Sequence, residues 1–189
     1  MTRLGGIVTT VQLGMSKKSG KPYAMVTLED LEGSFAMLCM NENYDKYRFL
    51  LEANKALFVV GEVNNDDGPP KVFPTEIMPL EDAPKKYTRQ VHLRLNAVHL
   101  NDDKLREIFD LAAKFPGKCP LFLCIRQPGG QIVYIESHGN YSVAPSRELH
   151  KAADDLLGEE TYYARVDTTL PEKPKRAWER KSESGAAGE

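Results

Sequence analysis

Cysteine is scarce in this chain. Cys39, Cys119 and Cys124 are odd in number and widely scattered, which does not suggest a disulfide framework and favours ordinary buried thiols. If Cys119 and Cys124 share one strand, their odd spacing points them to opposite faces, against a shared metal. Long apolar runs are missing too: nothing approaches the roughly 20 residues needed to span a bilayer. The opening MTRLGGIVTTVQ lacks the apolar core and cleavage site of a secretory signal, so a cytoplasmic chain is expected. No Walker loop, GxGxxG turn, GxSxG elbow or HExxH helix is found. The four histidines, His92, His99, His138 and His150, lack metal-ligand spacing. The acidic pairs Asp66-Asp67, Asp102-Asp103 and Asp154-Asp155 fall in a turn, at a helix start and on a helix face, where solvated charge accounts for them. Catalysis by this chain is not expected, nor a cofactor or metal.

Strong charge of one sign is also lacking. The formal net charge is −2, with 41% hydrophobic and 28% charged residues, as in a soluble globular protein of one or two domains. Residues 1–84 carry 8 Lys/Arg against 12 Asp/Glu, and residues 85–189 carry 17 against 15. Phosphate contacts dominate nucleic-acid affinity, so an acidic front half excludes strong non-specific binding and leaves only a local patch.

Three strands open the chain. Ile7, Val8, Val11 and Leu13 lie in a β-branched-rich run after Gly5-Gly6. Residues 16–22, SKKSGKP, have turn chemistry with exposed lysines. A second strand over 23–29 alternates, with Ala24, Val26 and Leu28 toward a core and Tyr23, Met25 and Thr27 on the other surface. The turn DLEG leads into a third strand over 34–40. A helix over 42–52 follows from the spacing of Tyr44, Tyr47, Leu50 and Leu51. ALFVVGEV is a fourth strand with Gly61 as a bend or bulge, and residues 71–79 are a fifth, interrupted by Pro74. Three strands, a helix and two strands is the order of the five-stranded OB β-barrel, assigned to residues 1–80.

Residues 81–90, EDAPKKYTRQ, read as a charged linker. A second module over 91–158 reads β-α-β-β-α, with a minor strand near residues 141–143; the fold class is α+β. Asp102 or Asp103 caps a helix whose Leu105, Ile108, Phe109, Ala112 and Phe115 form one apolar stripe ending at Pro116-Gly117. A hairpin turns on Gln127-Pro128-Gly129-Gly130. A last helix over 147–157 stops at Gly158. Residues 159–189 are read as an extension, mostly disordered, although residues 159–166 keep some β-like character.

A single strand on an OB barrel needs cations for its phosphates and flat or polarizable side chains for its bases. Lys17, Lys18 and Lys21 supply the cations. Tyr23, Met25 and Thr27 supply the surface, with Lys71 and Phe73 flanking it from the fifth strand. The plainer alternative makes the lysines a solvated hairpin tip and Tyr23 a plug in the barrel mouth. In the last segment Lys173, Lys175, Arg176, Arg180 and Lys181 surround Trp178, either a partner-binding anchor that folds on binding or a plain solvated tail.

GGIVTTV, GKPYAMVTLEDLEGSF, NYDKYRFLL and LFVVGEV resemble the OB domain near the C-terminus of the bacterial DNA polymerase III α subunit. VHLRL, the amphipathic helix, CPLFLCI and PSRELHKAADDLLG resemble the tail domain after it. The resemblance covers residues 4–158. It implies an OB domain that contacts single-stranded template DNA, a tail domain that docks the clamp-loader τ subunit, and a catalytic palm that is missing here. Met25 stands where the family usually has an aromatic, Met40-Asn41 where it has Phe-Pro, and Ala36 at an outward acidic position. QVHLRL also resembles a sliding-clamp-binding peptide, although a strand entrance explains it better. The competing readings are a protein–protein module without nucleic-acid binding and an RNA-binding OB domain.

Overall fold

The computed structural model describes residues 1–65 and 68–173. The chain divides into two compact units, Met1–Leu80 with the segment beginning at Thr169, and Glu81–Thr168.

In the first unit β1 (Thr2–Met15), β2 (Pro22–Glu29) and β3 (Ser34–Met40) form an antiparallel meander. Helix α1 (Asn41–Tyr47) follows, then a 3-10 turn, β4 (Ala56–Asn64) and β5 (Lys71–Pro79). The strands close into a barrel in the order β1-β2-β3-β5-β4, with β3 and β5 parallel. Alternation builds the core: Val8, Ala24, Val26, Leu28, Met37 and Val59 are fully buried. The expected helix over 42–52 is shorter, because Arg48–Leu50 tightens into the 3-10 turn. Its apolar residues still close the barrel, with Tyr47 and Leu51 buried and Tyr44 and Leu50 packed against them. Asn41 enters the helix at φ 55°, a left-handed conformation that asparagine tolerates and that a proline fixed near −65° does not enter. The Met40-Asn41 departure thus has a backbone consequence.

Gly61 lies at a register shift between β4 and β5, opposite Pro74. A Cβ at Gly61 would sit 2.4 Å from the Phe73 carbonyl oxygen, so the bulge needs glycine. Pro74 does not interrupt β5. It pairs with Gly61 beside the bulge, in which Thr75 is the extra residue, and its carbonyl accepts from Asn43 Nδ2 (2.7 Å).

The segment expected to be a linker is structured. It contains a 3-10 turn, helix α2 (Ala83–Tyr87) and the first residues of β6 (Thr88–Asn96). Pro84 falls in the first turn of α2, where a missing N–H costs nothing. Helix α3 (Asp102–Lys114), β7 (Pro116–Cys119), β8 (Leu121–Arg126), β9 (Ile132–Glu136), α4 (Arg147–Leu157) and β10 (Tyr162–Val166) complete the second unit. Its sheet runs β10-β6-β8-β9, with β6 and β8 parallel across α3 and the outer pairs antiparallel.

The β-like character of residues 159–166 is an edge strand on β6, within the second unit rather than in the extension, and β7 is an additional strand. Val143 supplies the minor strand contact as isolated bridges to Pro116 and Cys119. The N-cap of α3 is Asn101, which accepts from the Lys104 N–H (2.8 Å); Asp102 and Asp103 occupy the first turn, where carboxylates suit the helix dipole. Cys119 and Cys124 lie on separate strands divided by Pro120, and all three cysteines are buried and free. Asp66 and Asp67, and the tail cluster of Trp178 with Lys175, Arg176, Arg180 and Lys181, lie outside the described residues.

Candidate nucleic-acid interface

The β1–β2 hairpin tip is held by its own backbone. Ser16 N–H donates to the Lys21 carbonyl (2.9 Å) and Gly20 N–H to the Ser16 carbonyl (2.8 Å), with Gly20 at φ 65°. Ser19 N–H also donates to Ser16 Oγ (3.3 Å). Lys17, Lys18 and Lys21 are exposed around this frame, and among the described residues none is in an ion pair. Their charge is therefore available to an anion.

On β2 the alternation is complete. Ala24, Val26 and Leu28 are fully buried, and Tyr23, Met25 and Thr27 are half-buried on the outer surface. Cross-strand register sets their neighbours: Tyr23 between Gly14 and Met40, Met25 between Gln12 and Leu38, Thr27 between Thr10 and Ala36. Lys71 continues the Thr27 row through Ala36 on the parallel β3–β5 pair. Phe73 shares the outer side with Lys71 but stands opposite Glu62, whose carboxylate takes Lys173 (2.9 Å). Tyr23 and Thr27 are about 13 Å apart along the strand. Carboxylates gather at the far end, where Asp30 Oδ1 accepts from the N–H groups of Glu32 and Gly33 (2.8 and 2.9 Å) to shape the tight turn. A phosphate chain is thus drawn to the lysine end and repelled from the DLEG end.

Gly14 is a position beside Tyr23 that sequence reading passed over. A Cβ there would come within 2.5 Å of the Tyr23 ring, so the ring lies across bare backbone on the outer face of β1. That position is outside the barrel, on the side away from Ala24. A glycine between Leu13 and Met15 in a run that reads as a strand was the available signal, since such a glycine marks a close approach.

The peptide-like run at residues 90–95 is in β6, bonded to β10 on one edge and β8 on the other, with Val91, Leu93 and Leu95 in the core. A strand paired on both edges is not presented as an extended peptide, so the sliding-clamp reading falls. Among the described residues, no group of three or more His, Cys, Asp or Glu side chains is placed to hold a metal. No helix among them is long and apolar enough to cross a membrane.

Residues 2–80 match the family model of the OB-fold nucleic acid binding domain, named for tRNA anticodon binding. The chain is similar to DNA polymerase III subunit alpha of Pseudomonas fluorescens, 24% identical over 85% of this chain and 14% of that protein. The same subunit of Escherichia coli O6:H1 is 26% identical over 85% of this chain and 14% of its own length. The chain thus spans about a seventh of the length of these relatives. Among solved structures, the second OB-fold domain of replication protein A from Methanococcus maripaludis aligns over 42% of this chain and 82% of its own, at 18% identity and TM-score 0.34.

Proposed function

We propose that this chain is a non-catalytic replication module. Its OB domain guides single-stranded template DNA across the outer face of β2, and its second unit docks the clamp-loader τ subunit. The observation that supports this most is the similarity to polymerase III α subunits, which runs through both units rather than the barrel alone. The lysine tip and the Tyr23-Met25-Thr27 strip give the barrel half a physical means. Three or four lysines contribute a weak grip, with a salt slope of about 2 to 3 at roughly 0.7 per phosphate on a single strand.

Fluorescence anisotropy of labelled oligo-dT at low salt tests the barrel half. Binding that weakens on Lys17/Lys18/Lys21→Ala is expected. No binding, or binding indifferent to those changes, refutes it. Co-elution with purified τ in size-exclusion chromatography tests the docking half, and separate elution refutes that half.

An RNA ligand is the second reading, favoured by the anticodon-binding name of the matching family. Competition of oligo-U against bound oligo-dT separates the two. A third reading, a protein-interaction module only, draws on the excess of acidic residues over residues 1–84, and it predicts co-elution with no oligonucleotide binding.

A further inference from the structure

The sheet of the second unit buries only one of its faces. Along β6, Val91, Leu93 and Leu95 enter the core with residues of α3 and α4, while Gln90, His92, Arg94 and Asn96 turn the other way. On β8 the same split puts Phe122 and Arg126 beside them. Tyr134 of β9 and Tyr163 and Arg165 of β10 join them, with Leu95, Cys124 and Ile132 between, in lining an open recess of about 850 Å³.

Four rings on four strands form the floor. Register places Tyr163, His92 and Phe122 in one row across β10, β6 and β8. His92 stacks on Phe122 with centroids 5.1 Å apart and planes 15° from parallel. Tyr134 and Tyr163 stand edge-on to His92 at 6.3 and 6.2 Å. Tyr134 is 62% and Tyr163 49% exposed, much aromatic surface to leave in water. Burial, then Arg165 and Arg94, hold the imidazole below its ordinary pKa, so near neutral pH it presents an uncharged flat ring.

Three guanidiniums surround this floor. Arg94 lies 4.5 Å over the Tyr163 ring, Arg165 donates to Gln90 Oε1 (3.4 Å), and Arg126 is at the β8 end. Among the described residues none of the three is in an ion pair, and no acidic side chain lines the recess. Glu136, opposite Phe122, is the carboxylate at its rim. Unpaired cations call for an anion, and exposed rings at strand spacing, about 4.8 Å, call for planar groups. An acidic peptide meets only the first demand. A nucleotide chain meets both, because its bases stack on aromatics displayed by a sheet while arginines hold its phosphates.

We propose that this open sheet face is a second binding site for single-stranded nucleic acid, with bases stacked over Tyr163, His92 and Tyr134 and phosphates held by Arg94, Arg126 and Arg165. The inference does not depend on the barrel reading. Anisotropy titrations of the full chain with oligo-dT and with oligo-U test it, comparing wild type, Arg94/Arg126/Arg165→Ala, Tyr134→Ala and Lys17/Lys18/Lys21→Ala. The arginine variant should lose about tenfold or more in affinity for the preferred strand, and its salt slope should fall by about 2. Tyr134→Ala, at an exposed position, should lose about fivefold or more while Tyr134→Phe binds as wild type. The loop-lysine variant should retain a binding component that the arginine change removes. Wild-type affinity and slope in both the arginine and Tyr134→Ala variants overturns the inference and leaves the barrel reading standing. The same result with τ binding lost would assign the face to a protein and overturns it equally.

Discussion

Tyr23 and Gly14 depend on each other. The ring lies over the glycine because no Cβ is in its way, and the atoms a Cβ would meet belong to a side chain that can swing aside. Gly14→Ala should therefore cost little stability, about 1 kcal/mol or less by urea melt, while weakening oligonucleotide binding through the displaced ring. Gly61→Ala is the contrasting case. Its Cβ would meet the Phe73 carbonyl and Val72 (2.4 and 2.8 Å), neighbours fixed in the bulge, so destabilisation of about 2 kcal/mol or more is expected in the same melt. Met25 invites a gain: Met25→Phe restores a ring between Gln12 and Leu38 and should tighten oligo-dT binding several-fold, read by anisotropy. The outward position of Met25 was legible because strand side chains alternate strictly. The partner of Tyr23 was not, because it lies one strand away.

Elements were legible where local chemistry decided them. Helix α4 ends at Gly158 with φ 95°, as read from the sequence, and its start is fixed by Ser146, whose Oγ accepts from the Leu149 N–H (3.1 Å). Helix α3 has the right stripe but a cap one residue earlier than the acidic pair suggested. Asn101→Ala should lower stability by about 1 kcal/mol, measured by denaturant titration, and Asp102→Ala by less. Residues 81–90 were misread because their charge resembles a linker, whereas Pro84 in fact starts a helical turn. Strand β10 was legible only as β-like character over residues 159–166; its pairing with β6 is a tertiary event.

That pairing carries a pH signature. His92 lies between β10 and β8, with Arg94, Arg165 and the Cys124 thiol about it. Its folded pKa is lowered from 6.5, so the native state binds fewer protons than the unfolded chain. Stability is therefore present above 6.5 and is lost as pH falls below it. Urea melts from about pH 5 to pH 8 should show that slope, and His92→Phe should flatten it.

At the scale of the whole molecule, two small folds each display an outer sheet surface with cations and planar side chains. The barrel was legible from the sequence because strand order and alternation define it. The open sheet face of the second unit was not, since Gln90, His92, Arg94 and Asn96 meet Phe122, Tyr134 and Tyr163 only after β6, β8, β9 and β10 assemble. Both surfaces are local excesses of cations within a chain of net charge −2, so binding at either should be sensitive to salt. The most direct measurement is an amide NMR titration of the full chain with oligo-dT at low salt. The account predicts salt-sensitive shifts at residues 16–27 and at Ala36 and Lys71, separate from any at the open sheet face of the second unit. Shifts absent from those residues, with the oligonucleotide bound elsewhere or not at all, would contradict it.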